Sequence, residues 1–213
     1  MSKFVLDTVV LRVFAFAHSQ GVDILLTALN AKRVYFPAEV YNRDEDSLPL
    51  NAPDDDLSEL ARGLRYARRK AQNLPGLSGQ RFQARLENAT QLPRHIQMGE
   101  LIVEPLELEE LPRREFLIKE YGIGRGEAAC ITLADREALT AVFLSSDEKA
   151  CRVAQTVGIS FLTIPDILTA WVCQTRPPSN LLQALFDGMN NASFKLREDV
   201  YQQLWQILQE PTS

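Results

Sequence analysis

Three carboxylates stand where a chain can use them for chemistry. Asp7 closes the short apolar run Phe4-Val5-Leu6, and Asp147 closes Phe143-Leu144-Ser145-Ser146. Glu127 follows the glycine-rich Gly122-Ile123-Gly124-Arg125-Gly126, at the head of a helical stretch from Ala128 to Leu139. In an open α/β sheet the functional crevice lies beyond the carboxyl ends of the strands, and both aspartates fall there. Taken singly, an acid at such a junction serves as a helix N-cap or as a first-turn partner of the helix dipole. Three acids gathered at one edge repel one another, and the usual compensation is a hard divalent cation with oxygen ligands, Mg²⁺ or Mn²⁺.

The elements that must position these acids read as alternating strands and helices. Phe4 to Leu6, Val34 to Phe36, Leu101 to Val103, Ala141 to Leu144 and Ser160 to Ile164 are β-rich runs. Helical spacing lies between them from Gly21 to Asn30 and from Lys149 to Val157, the latter closed by Gly158. This alternation predicts an α/β fold with a mostly parallel sheet flanked by helices. The stretch 44–99 breaks the rhythm. After Pro49, Pro53 and Asp54 to Asp56 it gives a helix with Leu57, Leu60, Ala61, Leu64, Ala67 and Ala71 on one face, then Leu74-Pro75-Gly76 and a second helix from Ser78 to about Leu92. We read it as an inserted helical hairpin projecting from the sheet of a domain spanning 1–176. Beyond Pro177-Pro178, residues 177–213 form a C-terminal extension of two amphipathic helices. Their stripes, Leu181 to Met189 and Leu196 to Leu208, favour a homodimer or a partner-binding surface.

Composition narrows the rest. A net charge of -5 argues against a protein that coats nucleic acid over its whole surface, but charge is unevenly spread. From Arg62 to Gln97, eight arginines and lysines face only Glu87. On a helical projection Arg62, Arg65 and Arg69 fall within about 60° of one another, away from the apolar stripe, so that they contact phosphates while Tyr66 or Phe82 stacks on a base. A merely solvated face, balanced by Asp54 to Asp56, is the competing account. Cys130, Cys151 and Cys173 have no metal-ligand spacing and read as buried thiols of a reducing cytoplasm. No run approaches the ~18 apolar residues of a membrane span. Gly122 to Gly126 lacks the full dinucleotide fingerprint and reads as a turn before Glu127. His18 and His95 read as ordinary surface or hydrogen-bonded residues, and Trp171 and Trp205 as core or interface.

Phe4-Val5-Leu6-Asp7-Thr8 resembles the opening strand of PIN domains. Gly126-Glu127-Ala128-Ala129-Cys130-Ile131-Thr132-Leu133-Ala134 is similar to their central Glu-containing helix start, and Ser145-Ser146-Asp147-Glu148-Lys149-Ala150 to their last acidic motif. The likeness covers 4–43 and 101–170, rests on the order and spacing of the motifs together, and extends to the tail of a prokaryotic subgroup. It implies a Mg²⁺- or Mn²⁺-dependent endoribonuclease with Asp7, Glu127 and Asp147 as catalytic, metal-holding acids, and in many members a toxin held by a small antitoxin-like partner. Two positions depart from the pattern: Val9 stands where many members carry Asn, and Arg43 where an acid usually follows Val40 by three. The remaining acidic ligand is then Glu45, or else Asp44 or Glu39. Arg43 and Ser145 join Arg62, Arg65 and Arg69 as expected RNA contacts. The rival reading is a catalytically weakened PIN-like module that binds RNA or protein without cutting.

Overall fold

The computed structural model describes residues 2–47, 53–54 and 57–210; Pro49, Asp55 and Asp56, named above in the lead-in to the hairpin, lie outside them. In chain order, β1 (Lys3–Leu6) leads into α1 (Thr8–Ala17) and α2 (Gly21–Ala28), and β2 (Val34–Phe36) into a 3₁₀ turn over Arg43–Ser47. Next come α3 (Glu59–Asn73), α4 (Gly76–Ala89), α5 (Gln91–Gln97) and β3 (Leu101–Val103). After α6 (Leu111–Tyr121) and α7 (Arg125–Asp135) the chain forms β4 (Ala141–Leu144), α8 (Glu148–Thr156), β5 (Ser160–Leu162) and α9 (Ile164–Thr175). It ends in α10 (Ser179–Asn191) and α11 (Glu198–Gln209).

The five expected strands form one parallel sheet in the order β3-β2-β1-β4-β5. Its central strands carry apolar side chains toward both faces, as a sheet covered by helices requires; Val5, Leu6, Phe143 and Leu144 are fully buried. The chain leaves β1 in one direction to lay down β2 and β3, then returns to add β4 and β5 on the other side. The order therefore reverses between β1 and β4, which puts the crevice at the end of those two strands. Backbone ties extend the junction past the strands, Asp7 N to Leu144 O at 2.9 Å and Ser145 N to Leu162 O at 3.1 Å.

α1, apolar on nearly every side, is covered all round, by α2, α4 and α10. Two expectations about the added helices change as a result. The hairpin does not project: α3 and α4 pack on each other, and α4 lies against α1. The C-terminal helices need no partner for their stripes, because α10 packs on α1 and α11 on α9, with Leu182, Leu185 and Leu204 fully buried within this chain. Contact between α10 and α1 is so close that a Cβ on Gly188 would stand 1.8 Å from the carbonyl oxygen of Ala17. Cys130 and Cys151 are buried as expected, but Cys173 is exposed, being on the outer side of α9. No described helix is long and apolar enough to cross a membrane.

Candidate active site

Each of the three acids sits where a helix starts, and each caps it. Asp7 is the N-cap of α1, with Oδ1 accepting from Thr8 N at 2.6 Å. Asp147 is the N-cap of α8, with Oδ1 accepting from Ala150 N at 2.8 Å. Glu127, in the first turn of α7, reaches back so that Oε2 accepts from Gly124 N at 2.6 Å. Capping satisfies amide groups that a helix end otherwise leaves open. It does not account for what burial does to these carboxylates.

Asp7 is only 2% exposed. Loss of hydration drives its pKa up from the ordinary 3.8 to about 7, and the charges of Glu127 and Glu59 push in the same direction; the hydrogen bonds from Ser145 and Thr8 offset part of this. Glu127 is raised too, by burial and then by Asp147 and Glu59, against the pull of its Gly124 hydrogen bond and of Lys149. The thiol of Cys130, which donates to Leu6 O at 3.2 Å, is pushed well above its usual value by burial and by Asp7, Glu59, Glu39 and Glu127. Asp7, Glu59, Glu127 and Asp147 are thus neighbours in one electrostatic field.

Glu59 is the acid that the sequence reading missed. It opens α3, and its backbone is stitched to the segment after β2 by Glu59 N to Glu39 O and Leu60 N to Val40 O, both 3.0 Å. Its carboxylate lies over Gly126, where a Cβ would meet Oε1 at 2.6 Å. Glu45, the expected extra ligand, instead accepts from both N and Oγ of Ser58 at 2.8 and 2.6 Å, bracing the start of α3. Glu39 is clamped by Arg114 Nη1 at 2.6 Å. A cleft of about 420 Å³ opens between them, walled by Glu39, Glu45, Glu59, Arg62, Arg125 and Gly126.

Several expected contacts need correcting. Ser145 is wholly buried, so it does not touch RNA; its Oγ donates to Asp7 Oδ2 at 2.7 Å and accepts from Asp147 N at 3.1 Å, which fixes the two aspartates relative to each other. Arg43 is exposed, does not line the cleft and pairs with neither Asp7 nor Asp147. Arg65 does not face solvent with Arg62 and Arg69: it is 2% exposed and bonds Asp54 Oδ1 at 3.1 Å, while Arg69 holds Oδ2 of the same aspartate. Of the expected basic face only Arg62 remains exposed at the cleft without an ion pair among the described residues.

The donor set, carboxylate oxygens only, suits Mg²⁺ or Mn²⁺, and a carboxyl whose ionisation is opposed by burial and like charge, its pKa pushed up to about 7, is what a cation would relieve. Yet among the described residues no three acids, histidines or cysteines stand together at distances that would hold a metal. The carboxylates are drawn apart onto separate helix ends, each by its own amide donors. Compared with protein-family models, with curated proteins and with solved structures, the chain matches none.

Proposed function

We propose that this chain is a divalent-metal-dependent endoribonuclease of the PIN type, hydrolysing RNA phosphodiesters at the crevice between β1 and β4. The single observation that carries the reading is Asp7, a buried carboxyl at the topological switch point, raised to about 7 with Glu59 and Glu127 pressing on it. Such a cost is seldom met in a residue whose only duty is to cap a helix, since an exposed Asp or Asn caps as well. Asp7, Glu59, Glu127 and Asp147 would hold Mg²⁺ or Mn²⁺. When bound, the cation supplies an activated water and positive charge against the phosphate.

The chain's own residues do the remaining work. Ser145 Oγ fixes Oδ2 of Asp7, and the missing side chain at Gly126 leaves Glu59 room beside Glu127. Arg62 and Arg125, on the cleft wall and without ion pairs among the described residues, are placed to bind phosphate oxygens through their guanidinium forks. Leu6 and Leu144, fully buried beneath the acids, keep water from the underside of the site.

The rival reading, a PIN-like module that binds RNA without cutting it, has one observation in its favour: among the described residues no preformed group of metal ligands exists. One experiment separates the two. Labelled RNA is incubated with the protein in Mn²⁺ and in chelator, beside Glu59→Gln, Glu127→Gln and Asp147→Asn. The nuclease reading expects Mn²⁺-dependent cutting that falls by about a hundredfold or more in each variant. Equal cutting by all three variants sinks it, and bound but intact RNA supports the rival.

A further inference from the structure

The carboxylate cleft continues along a strip of alternating cations and aromatic rings. Arg62 stands on the cleft wall, and α3 repeats at four-residue intervals from there: Tyr66, 53% exposed, then Lys70, whose Nζ lies 5.4 Å from the Tyr66 ring. From Tyr66 the strip crosses to α4, where Phe82 meets the ring edge-on at 5.7 Å, and Arg85 stacks on Phe82 at 4.5 Å. Beyond Arg85 lies Arg12, the only charged residue of α1.

That last pair is unusual. Two guanidiniums repel, yet neither has a carboxylate among the described residues: Arg85 donates to Ser193 Oγ at 3.2 Å, and the Nε of both arginines is buried with no acceptor. Burial and the charge of Arg12 together lower the pKa of Arg85. The carboxylate on α4, Glu87, is engaged by Gln83 at 3.1 Å. Half-buried cations whose Nε is shut away from water and which have no counter-charge are costly, and an anion that supplies the missing acceptors removes the cost. Meanwhile the aromatic rings offer flat apolar faces between the charges, as strips that stack unpaired bases do.

We propose that this strip, from Arg62 through Tyr66, Lys70, Phe82 and Arg85 to Arg12, binds a single-stranded polynucleotide that runs out of the carboxylate cleft. The proposal rests on the nuclease reading for the direction of the strand, not for its binding. From Arg62 to Lys70 the helix rises about 12 Å, enough for roughly three phosphates at the ~3.4 Å spacing of a stacked strand. The phosphates lie on Arg62, Lys70 and the Arg85–Arg12 pair, and a base stacks on Tyr66. This moves nucleic-acid contact off Arg65 and Arg69, whose charges Asp54 already engages.

The test measures anisotropy of labelled oligo-U, oligo-dT, a duplex of equal length and polyglutamate with the full chain, in chelator, across a salt series. Arg12→Gln, Arg85→Gln and Lys70→Gln are each expected to lower the slope of log affinity against log salt for oligo-U by about 0.7. Tyr66→Ala is expected to weaken binding at least fivefold with the slope unchanged, and Arg197→Gln, whose charge Asp199 already engages, to change nothing. Arg12 is half-buried, so thermal melts accompany it and the half-buried Lys70; the exposed Tyr66 variant decides the matter if they unfold. Oligo-U binding more tightly than oligo-dT makes the partner RNA, and equal binding leaves the strand's sugar to the cleft. Unchanged slopes, equal binding of duplex, or polyglutamate bound as tightly through the same residues overturns the proposal, the last in favour of an acidic protein partner. Chelator keeps the two readings apart: loss of the slope changes with Mn²⁺-dependent cutting intact removes only the strip, and the reverse removes only the nuclease.

Discussion

Replacing Asp7 with Asn should make the metal-free protein more stable above neutral pH and slightly less stable below pH 4.5 or so. Below its ordinary value of 3.8 the Asp7 carboxyl is protonated in both folded and unfolded chains. Between 3.8 and about 7 the unfolded chain releases this proton and the folded chain keeps it, so stability falls as pH rises; above about 7 both are ionised and the loss is complete. At 1.36 kcal/mol for each pH unit, a rise from 3.8 to about 7 amounts to about 4 kcal/mol. Asn carries no charge, but its amide cannot accept from Ser145 Oγ where Oδ2 did, at a cost of about 1 kcal/mol. The expected net effect is a gain of about 3 kcal/mol in alkaline buffer and a loss of about 1 kcal/mol in acid. Urea unfolding of both proteins in chelator, at about pH 3 and about pH 8.5, reads this directly. A stability difference that is the same at both values, within about 0.5 kcal/mol, would refute the assignment of the buried charge to Asp7. Mn²⁺ should then reverse the order, stabilising the parent and not the variant.

Three further outcomes follow from the geometry. Ser145→Ala removes a hydrogen bond that holds the Asp7 pKa down, so the acid limb of any Mn²⁺-dependent cleavage profile should move to higher pH; an unmoved limb would detach Asp7 from that limb. Gly126→Ala sets a methyl 2.6 Å from Glu59 Oε1, the far end of a flexible side chain, and should cut cleavage by tenfold or so while the melting temperature changes little. Gly188→Ala drives a methyl against the Ala17 carbonyl, which is backbone and cannot swing away; forcing α10 off α1 should cost about 3 kcal/mol in urea unfolding, and a neutral result would deny their close packing.

The five strands were legible because each is a short apolar run between turn signals, and a buried parallel strand leaves that trace. Asp7, Glu127 and Asp147 were legible for a related reason: strand ends and helix starts are local events, and a switch point collects them. Glu59 was not. Its turn of helix begins after 44–58, which breaks the strand-helix rhythm, and reading the whole stretch as an insertion hid that α3 returns to the sheet edge through Glu39 O and Val40 O. The burial of Arg65 was hidden because a helical projection gives angles but not neighbours, and α3 is covered from more than its apolar side. Helix α6 left almost no periodic signal; it is announced instead by the Glu107 and Glu110 capping pair and by Pro112 in its first turn.

Three of the four site acids also cap helices with their side chains, and this couples the site to the architecture in a way that bears on how such a protein can decay. Asparagine caps a helix about as well as aspartate, whereas alanine gives up about 1 kcal/mol at each end it fails to cap. At positions 7 and 147, a lineage released from selection on cutting can therefore drift to Asn with its fold intact, and at Asp7 even gain stability. The Glu59 side chain caps no helix among the described residues, so it is free to drift first. On the nuclease reading, erosion of the site would leave a sound scaffold with its strand ends and helix caps in place and its fourth carboxylate gone.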